Sequence, residues 1–341
     1  MLDFITKPGI FTSVKMMKGN PKVSHEIEMV NGKAQMAYAG ETPWHGLGTR
    51  VPDDLTPEQM LEAAGLNWEV EKVEAFAKVN GKNVSVNRSA LVRKSDDKIL
   101  DVVSNEWNPV QNTEAFEFFN DFIAEGDMEM HTAGSLRDGQ IVWALAKVKD
   151  SFELFGGDRV ESYLHFTNFH RYGCSTDVRF TPIRVVCNNT LTLSLNTKVE
   201  RMVKISHRRE FDGDNVKLML GVAAEKLAKY KEMAQFLGSK RYNNENIVEY
   251  FKRVFPVSGG NTSAKKELSK NANIALGILD TQPGAEFARG SWWQAFNSVT
   301  YLTDHLAGRT ADTRLTSAWY GYHKGVKTTA LETAVEMAEA A

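Results

Sequence analysis

The stretch FTPIRVVCNNTLTLSL, at 180–195, sets polar groups inside a run of residues typical of a buried strand. Arg184, Asn188 and Asn189 are the polar groups that a core does not account for. One asparagine is explained as a helix N-cap, because its side-chain oxygen accepts hydrogen bonds from the free N–H groups of a first helical turn. The second asparagine and Arg184, together with Arg179 earlier on the same strand, are candidates to line a groove for an anionic strand.

Basic residues are concentrated just after this stretch. Residues 198–253 hold thirteen Lys or Arg against eight Asp or Glu, most densely in KVERMVKISHRRE. Such a cluster contacts phosphates where it converges in three dimensions. The candidate nucleic-acid-binding residues are Arg171, Arg179, Arg184, Asn188, Asn189, Arg201, Lys204, Arg208 and Arg209. Three aromatic residues interleaved with arginine, Phe166, Phe169 and Tyr172, are candidates to stack on bases, at about 1–3 kcal/mol each.

An acidic segment precedes the basic one. Residues 101–130 contain eight Asp or Glu and no Lys or Arg, although the formal net charge of the chain is only -2. Opposite charges in one chain favour either an intramolecular match or head-to-tail assembly of subunits. The alternative is two solvated faces without a partner.

A second group of residues suits a ligand or an interface. In TPWHGLG, an aromatic residue and a histidine precede two glycines, which allow another surface to approach the backbone closely. A helix predicted to begin at Ser291 carries a polar stripe that suits phosphate or base contacts. The candidate ligand or interface residues are Trp44, His45, Asn297, Tyr301, His305, Arg309 and Arg314. The alternatives are an N-terminal arm held by its tryptophan and a helix face exposed to solvent.

The chain lacks the usual signatures of metal and nucleotide chemistry. The spacings of His165, His170, Cys174 and Cys187 match no zinc motif, so we predict no metal site. A GxGxxG, a GxxxxGK[ST] and a GxSxG are all absent, which disfavours hydrolases and nucleotidases that use these motifs. We therefore predict no cofactor, assign no catalytic residue, and favour a binding protein over an enzyme.

The order of the predicted elements indicates an α+β fold. Alternating residues on both sides of Asn80-Gly81 predict a hairpin, and SDDKILDVVS extends it to an antiparallel meander. A helix is predicted after Asn112-Thr113, and Arg137-Asp138-Gly139 is predicted to join two further strands. Helical periodicity dominates the C-terminal half. We expect an antiparallel sheet of at least five strands packed against helices.

The domain organisation follows from these elements and the composition. We predict an N-terminal extension at 1–23, a strand-rich α+β core at 24–195 and a mainly helical region at 196–341, with a mobile loop at 256–266. The sequence contains no stretch typical of a membrane span or a signal peptide. A cytoplasmic location and no membrane partner are therefore expected.

Six motifs in order resemble the phage/plasmid-like protein family, which is catalogued as a domain of unknown function. They are TPWHGLG, VVSNEWNPVQNTEAFEFF, TAGSLRDGQIVWALAKV, YLHFTNFH, FTPIRVVCNNTL and SVTYLTDH, within about 24–325. The resemblance implies a phage, prophage or plasmid setting in a bacterial host, and it implies no established activity or catalytic residue.

These observations predict a nucleic-acid-binding protein of phage DNA metabolism, which binds single-stranded DNA or anneals it in recombination. The meander followed by helices is similar to single-strand annealing recombinases, which implies a homo-oligomeric ring or filament. Two alternatives remain open. One is an enzyme that acts on a nucleotide or small phosphorylated substrate through His45, His305 and Arg309. The other is a phage protein that binds a host factor.

Overall fold

The computed structural model of the chain describes residues 27–43, 46–149, 151–184, 189–190, 203–208, 210–220, 223–257, 268–308 and 314–340. Strands dominate the first half of the described chain and helices the second. The α+β class predicted from the sequence is confirmed.

The described strands are β1 (Met29–Val30), β2 (Lys33–Ala34), β3 (Met36–Tyr38), β4 (Thr49–Arg50), β5 (Val70–Val79), β6 (Lys82–Arg93), β7 (Lys98–Val103), β8 (Met128–Leu136), β9 (Ile141–Val148), β10 (Phe152–Leu154), β11 (Asp158–Phe169), β12 (Thr176–Arg184), β13 (Asn189–Thr190) and β14 (Val203–Ile205). Nine of them form a central sheet in the order β13-β12-β11-β9-β8-β3-β4, with β10 paired to β11 and β14 paired to β12. The predicted turn Arg137-Asp138-Gly139 joins β8 and β9, and all three residues have a positive φ. The prediction of at least five strands is therefore confirmed.

The predicted meander forms a separate three-stranded sheet, β5-β6-β7. Asn80 and Gly81 join β5 and β6 with φ angles of 49° and 81°, which are the left-handed values that a type I′ turn requires. Leu91 and Leu100 are buried on the inner side of this sheet. The exposed side chains of this sheet form what we call its apolar outer surface, which covers both faces of the β5-β6 hairpin because Phe76 pairs with Ser85 whereas Val84 pairs with Ala77. Its members are Val73, Phe76, Val79, Val84, Val86, Ile99 and Val102.

The described helices are α1 (Pro57–Ala63), α2 (Asn112–Glu117), α3 (Asn120–Ala124), α4 (Gly213–Leu220), α5 (Ala223–Ser239), α6 (Asn244–Val254), α7 (Lys270–Gly277), α8 (Trp292–Tyr301), α9 (Arg314–Tyr320) and α10 (Tyr322–Glu339). A π-helical turn at Leu302–Leu306 continues α8. Among the described residues, no helix has both the length and the apolar character needed to cross a bilayer.

The segment after Asn112 differs from the prediction, because it forms two short helices and its N-cap is Gln111. The Gln111 backbone N–H donates to the Glu114 carboxylate at 2.9 Å, as in a capping box. Asn112 is buried instead, and its Nδ2 donates to the carbonyl oxygen of Leu66 at 3.0 Å. A buried carbonyl oxygen needs a hydrogen-bond donor, so the Asn112 side chain serves Leu66 and does not cap the helix.

The two faces of the central sheet are covered by different helices. On one face, Phe166 of β11 packs against Phe118, beside α2, with ring centroids 5.4 Å apart. On the other face, His165 of the same strand meets Trp319 of α9 at 4.7 Å. Neighbouring residues of a strand point to opposite faces, so β11 separates an α2–α3 layer from an α9 layer.

The end of β12 corrects another prediction. Asn189 and Thr190 form β13 and pair with Arg184 and Ile183 of β12. Of the two asparagines that could be the predicted helix N-cap, Asn189 is therefore not the cap, because it begins a strand that pairs with the edge of β12. Asn188 and the predicted mobile loop from residue 258 onwards lie outside the described residues.

The C-terminal helices have a core of their own, in which Tyr250, Trp292, Trp293 and Phe296 are fully buried. A buried ion pair lies within this helical layer. Lys327 of α10, whose side chain is 0% exposed, donates to Asp304 of the π-helical turn at 2.8 Å. The pair ties the first half of α10 to the end of α8.

Replacing Asp304 with Ala should destabilise the protein by about 3–5 kcal/mol, because the Lys327 ammonium would remain buried without this carboxylate. Glu336 makes an exposed ion pair with Arg253, so Glu336→Ala is the control and should cost less than about 1 kcal/mol. Urea unfolding measures both. Equal midpoints for Asp304→Ala and the wild type would mean that the lysine needs no partner.

Candidate anion-binding cleft

A cleft of about 630 Å³ opens where β12, β14 and the β11–β12 loop face α9 and the start of α10. Four cationic side chains line it, namely Arg137, Arg171, Lys204 and Lys324. Asp177 is the single acid among the described residues that line it. The hydroxyl groups of Ser175, Ser317 and Tyr320 also contribute to its walls. This surplus of positive charge suits an anionic ligand.

Strand register places two of these residues together. Lys204 of β14 lies directly opposite Asp177 of β12, which in turn lies opposite Thr167 of β11. Residues opposite each other in antiparallel strands point to the same face of a sheet. The Thr167 hydroxyl lies 2.9 Å from the hydroxyl of Tyr320, so this row faces α9.

The loop between β11 and β12 positions Arg171 at the rim of the cleft. His170, at the start of this loop, is fully buried, and its Nε2 lies 3.0 Å from Oδ1 of Asn112. Farther on, the Tyr172 backbone N–H donates to the Asp101 carboxylate at 2.8 Å. Gly173 has a φ of 75°, a conformation that favours glycine. These contacts hold the loop while Arg171 and Tyr172 stay exposed.

The N-terminus of α10 opens on the same cleft. Gly321 is the N-cap of this 18-residue helix, and as a glycine it has no side chain to cap the first turn. The first N–H groups of a helix carry partial positive charge and bind anions. Ser317 occupies one of them, since its Oγ accepts from the His323 N–H at 3.3 Å. The helix end therefore adds to the field of the four cationic side chains.

A layer of buried polar groups lies beneath the cleft. Arg179 donates from Nε to Nδ1 of His165 at 3.2 Å and from its guanidinium to the Trp319 carbonyl oxygen at 3.3 Å. Because Nδ1 accepts, a neutral His165 carries its proton on Nε2, which lies 3.1 Å from the Tyr320 hydroxyl and 3.2 Å from Thr167 Oγ1. Burial, followed by the charge of Arg179, lowers the pKa of His165.

Burial also shifts the pKa values of two ionisable groups that line the cleft, Lys324 and Asp177. Burial, followed by the charge of Arg179, lowers the pKa of Lys324 to about 8. Burial raises the pKa of Asp177, against the opposing effect of the neighbouring cations. A bound anion would stabilise the charged form of Lys324, so its charge would respond to a ligand.

The structure brings together some of the predicted nucleic-acid-binding residues. Arg171 and Lys204 both line the cleft, and Arg179 lies in the layer beneath it. Arg208 is exposed in the turn after β14 and does not line the cleft. Arg184 ends β12 and Asn189 begins β13. The other three predicted residues, Asn188, Arg201 and Arg209, lie outside the described residues.

The members of the second predicted group that the structure describes do not form one site. Asn297 is fully buried and donates to the carbonyl oxygen of Trp293 in its own helix at 2.8 Å. Tyr301 and His305 contact each other with ring centroids 4.9 Å apart. The Arg314 Nε donates to the Ala307 carbonyl oxygen at 3.0 Å. The remaining members, Trp44, His45 and Arg309, lie outside the described residues.

Two of the three predicted stacking residues are not accessible. Phe166 is 1% exposed and Phe169 is 8% exposed, so the prediction that they stack on bases is wrong. Phe166 packs against Phe118, and Phe169 packs against Tyr320 at the wall of the cleft. The alternation of residues in the sequence did not distinguish such packing from an open groove. Tyr172 is 57% exposed at the rim of the cleft, and the Arg88 guanidinium lies 6.0 Å from the centre of its ring.

Sequence reasoning missed Arg137, Asp177 and Lys324. Arg137 was predicted only as a turn residue, and its turn brings it to the cleft. One sequence signal could have indicated Lys324. Gly321 lies between two tyrosines, and a glycine there indicates a helix that begins close to other backbone and carries Lys324 in its first turn. A Cβ atom at Gly321 would lie 3.0 Å from the Ser317 backbone.

The fold and the cleft define an α+β protein with a cationic site between a sheet edge and a helix N-terminus. The chain belongs to the family described as domain of unknown function (DUF932), which matches residues 99–319. The matched segment contains Arg137, Arg171, Asp177 and Lys204, and it ends one residue before Tyr320. Neither the curated proteins nor the solved structures include a match to the chain.

The buried histidine that anchors the rim loop predicts a pH dependence of stability. Burial lowers the pKa of His170 from 6.5 to about 3, so the unfolded chain binds a proton below pH 6.5 that the folded chain does not. This contribution to stability is complete above pH 6.5 and is lost as the pH falls towards 3. Between pH 7 and pH 5 it amounts to roughly 2 kcal/mol.

Between pH 7 and pH 5, the free energy of unfolding should therefore fall by roughly 2 kcal/mol less in the His170→Gln variant than in the wild type. Urea unfolding at the two pH values provides the comparison within each protein, so the cost of the substitution itself cancels. An identical pH effect in both proteins would show that His170 is protonated in the folded state.

Proposed function

We propose that the protein binds single-stranded nucleic acid, with phosphates held in the cationic cleft. The observation that supports this most directly is the convergence of Arg137, Arg171, Lys204 and Lys324 beside the N-terminus of α10. Cationic side chains and helix N-termini are the groups that contact phosphates in complexes with nucleic acids. The resemblance to phage/plasmid-like proteins supports a role in phage DNA metabolism, and the specific role that we propose is annealing in recombination.

The rim of the cleft supports a polymeric ligand. Tyr172 follows Arg171 in the chain, so an exposed aromatic ring stands next to a phosphate-binding side chain. Sequence-tolerant binding of single strands combines a positive groove with rings on which bases stack. Arg88, above the Tyr172 ring, would extend the path of the strand towards the β5-β6-β7 sheet.

Fluorescence anisotropy with labelled oligo-dT tests the proposal. At low salt the wild type should bind, and log K should fall linearly with log of the salt concentration. Lys204→Ala should weaken binding and reduce the salt slope by about 0.7. Lys229 is an exposed lysine of α5 outside the cleft lining, so Lys229→Ala is the matched control and should change neither quantity. Absence of binding, or binding without a salt slope, would refute the proposal.

The size of the cleft favours a second candidate function. A volume of about 630 Å³ lies within the range of small-molecule sites, which suits a nucleotide or a small phosphorylated substrate. For this candidate, mononucleotides would raise the melting temperature as much as oligonucleotides at equal saturation. Of the residues predicted for such an enzyme, His305 lies outside the cleft lining, and His45 and Arg309 lie outside the described residues.

We also propose that the protein self-associates through the apolar outer surface of the β5-β6-β7 sheet. The distal part of the hairpin carries Lys78 and Lys82 without an acidic residue between 75 and 88. The exposed side of α2 and α3 carries Glu114, Glu117 and Asp121. A basic, apolar hairpin that meets an acidic helical face on a second copy gives a heterologous contact, which generates rings or filaments.

Sedimentation velocity at increasing protein concentration tests this contact. The wild type should form species larger than a monomer. Phe76→Ser combined with Val84→Ser should abolish them, because these side chains are about half exposed and the pair removes one apolar group from each face of the hairpin. Leu306→Ser removes an exposed apolar side chain from the helical part and is the control. A wild type that stays monomeric at all concentrations would refute self-association and leave the surface to another partner.

A further inference from the structure

Asp177 is the feature of the cleft that phosphate binding does not explain. It is 6% exposed and lines the cleft among cations. Its Oδ1 has no hydrogen-bond partner among the described residues, and the nearest paired nitrogen is Nε of Arg179 at 3.9 Å. That distance is beyond a hydrogen bond. An acceptor is therefore buried at the floor of a cleft that otherwise presents donors.

An unsatisfied buried carboxylate oxygen costs free energy unless a ligand supplies a donor. An ionised carboxylate only accepts hydrogen bonds, and a phosphodiester has no proton to donate. The two groups also repel each other. The ligand that fits the whole cleft must therefore carry an anion for the cations and, a short distance away, a hydroxyl or N–H group for Asp177.

The position of Tyr172 restricts which group this is. Its ring is exposed at the rim, whereas Phe169 inside the cleft is buried. A base stacked on Tyr172 would stay outside, and the cleft beside Arg171 and Gly173 would then take the attached sugar and phosphate. In a DNA strand the sugars are linked through their oxygens, so a sugar hydroxyl is free only at an end of the strand.

We propose that the cleft binds the terminal nucleotide of a single strand, with the free sugar hydroxyl donating to Asp177 and the adjoining phosphodiester held by Arg171, Lys204 and Lys324. This inference rests on the proposed function and adds to it a preference for strand ends over strand interiors. Either the 3′ or the 5′ hydroxyl has the required chemistry, and the experiment distinguishes the two.

The test compares a linear oligonucleotide with a covalently closed circle of the same sequence and length, as competitors in the anisotropy assay. Loss of one hydrogen bond to a charged group corresponds to about tenfold in affinity, so the circle should bind about tenfold more weakly. A 3′-dideoxy end and a 5′-phosphorylated end, each on a linear strand, identify the hydroxyl. The modified end that binds like the circle is the one that Asp177 recognises.

Two variants link the preference to Asp177. Asp177→Ala removes the acceptor and one negative charge, so the circle should bind at least as tightly as it binds the wild type, and the preference for the linear strand should disappear. Asp177→Asn has nearly the same volume and serves if the alanine variant does not fold. Its preference should fall because a neutral amide accepts more weakly than a carboxylate.

The outcomes separate the inference from the function on which it rests. Equal binding of circle and linear strand by the wild type overturns the inference and leaves nucleic-acid binding in place. Absence of binding to both overturns the proposed function. A preference for the linear strand that persists in full in Asp177→Asn also overturns the inference, because a protonated Asp177 or another residue would then be responsible.

Discussion

The contact between Arg179 and His165 determines how the cleft is built. Both residues lie on the central sheet, on adjacent strands and directly opposite each other. A guanidinium at 12% exposure needs acceptors, and it finds them in His165 Nδ1 and in the Trp319 carbonyl oxygen at the end of α9. The contact works only with a neutral imidazole, which burial ensures. Through it, the sheet sets the position of α9 and hence of the α10 N-terminus.

The helical layer secures the other end of this arrangement. The Lys327–Asp304 pair lies one turn beyond Lys324 along α10 and holds the helix against the π-helical turn. A buried pair of this kind contributes little net stability compared with apolar residues of the same size, but it fixes which residues meet. Since Lys324 and Lys327 are three residues apart on one helix, an axial shift of α10 would disturb both the pair and the cleft.

Much of the fold follows from local patterns. The Asn80-Gly81 hairpin and the turn at Arg137 are encoded by residues that accept positive φ, and both could be predicted. The cleft depends on pairings that local patterns do not specify. Asp177 and Lys204 meet only because β14 pairs with β12, and Lys324 arrives from more than a hundred residues away. Arg171 and Lys204 were predicted from charge density, which detects surface cations but not a buried acid among them.

The errors have a common physical cause. Phe166, Phe169 and Asn297 were predicted to be accessible to a ligand, but other elements of the fold bury all three. Polar residues in a helix usually face solvent, but α8 is packed on several sides, so Asn297 donates within its own helix. Burial on a second face depends on which distant element packs there, and a single sequence contains no direct record of that packing.

The arrangement of charge explains how a chain of net charge -2 can have a strongly cationic cleft. Phe166 faces the α2–α3 layer, whereas its neighbour Thr167 faces α9 and the cleft. The acids of α2 and α3 therefore lie on the side of the sheet opposite to Lys204 and Lys324. Because Glu114, Glu117 and Asp121 are exposed to solvent on that far side, water and salt screen their effect on the cleft. The same separation gives the molecule two faces of opposite sign, which is the charge arrangement that both the proposed binding of a polyanion and the proposed self-association require.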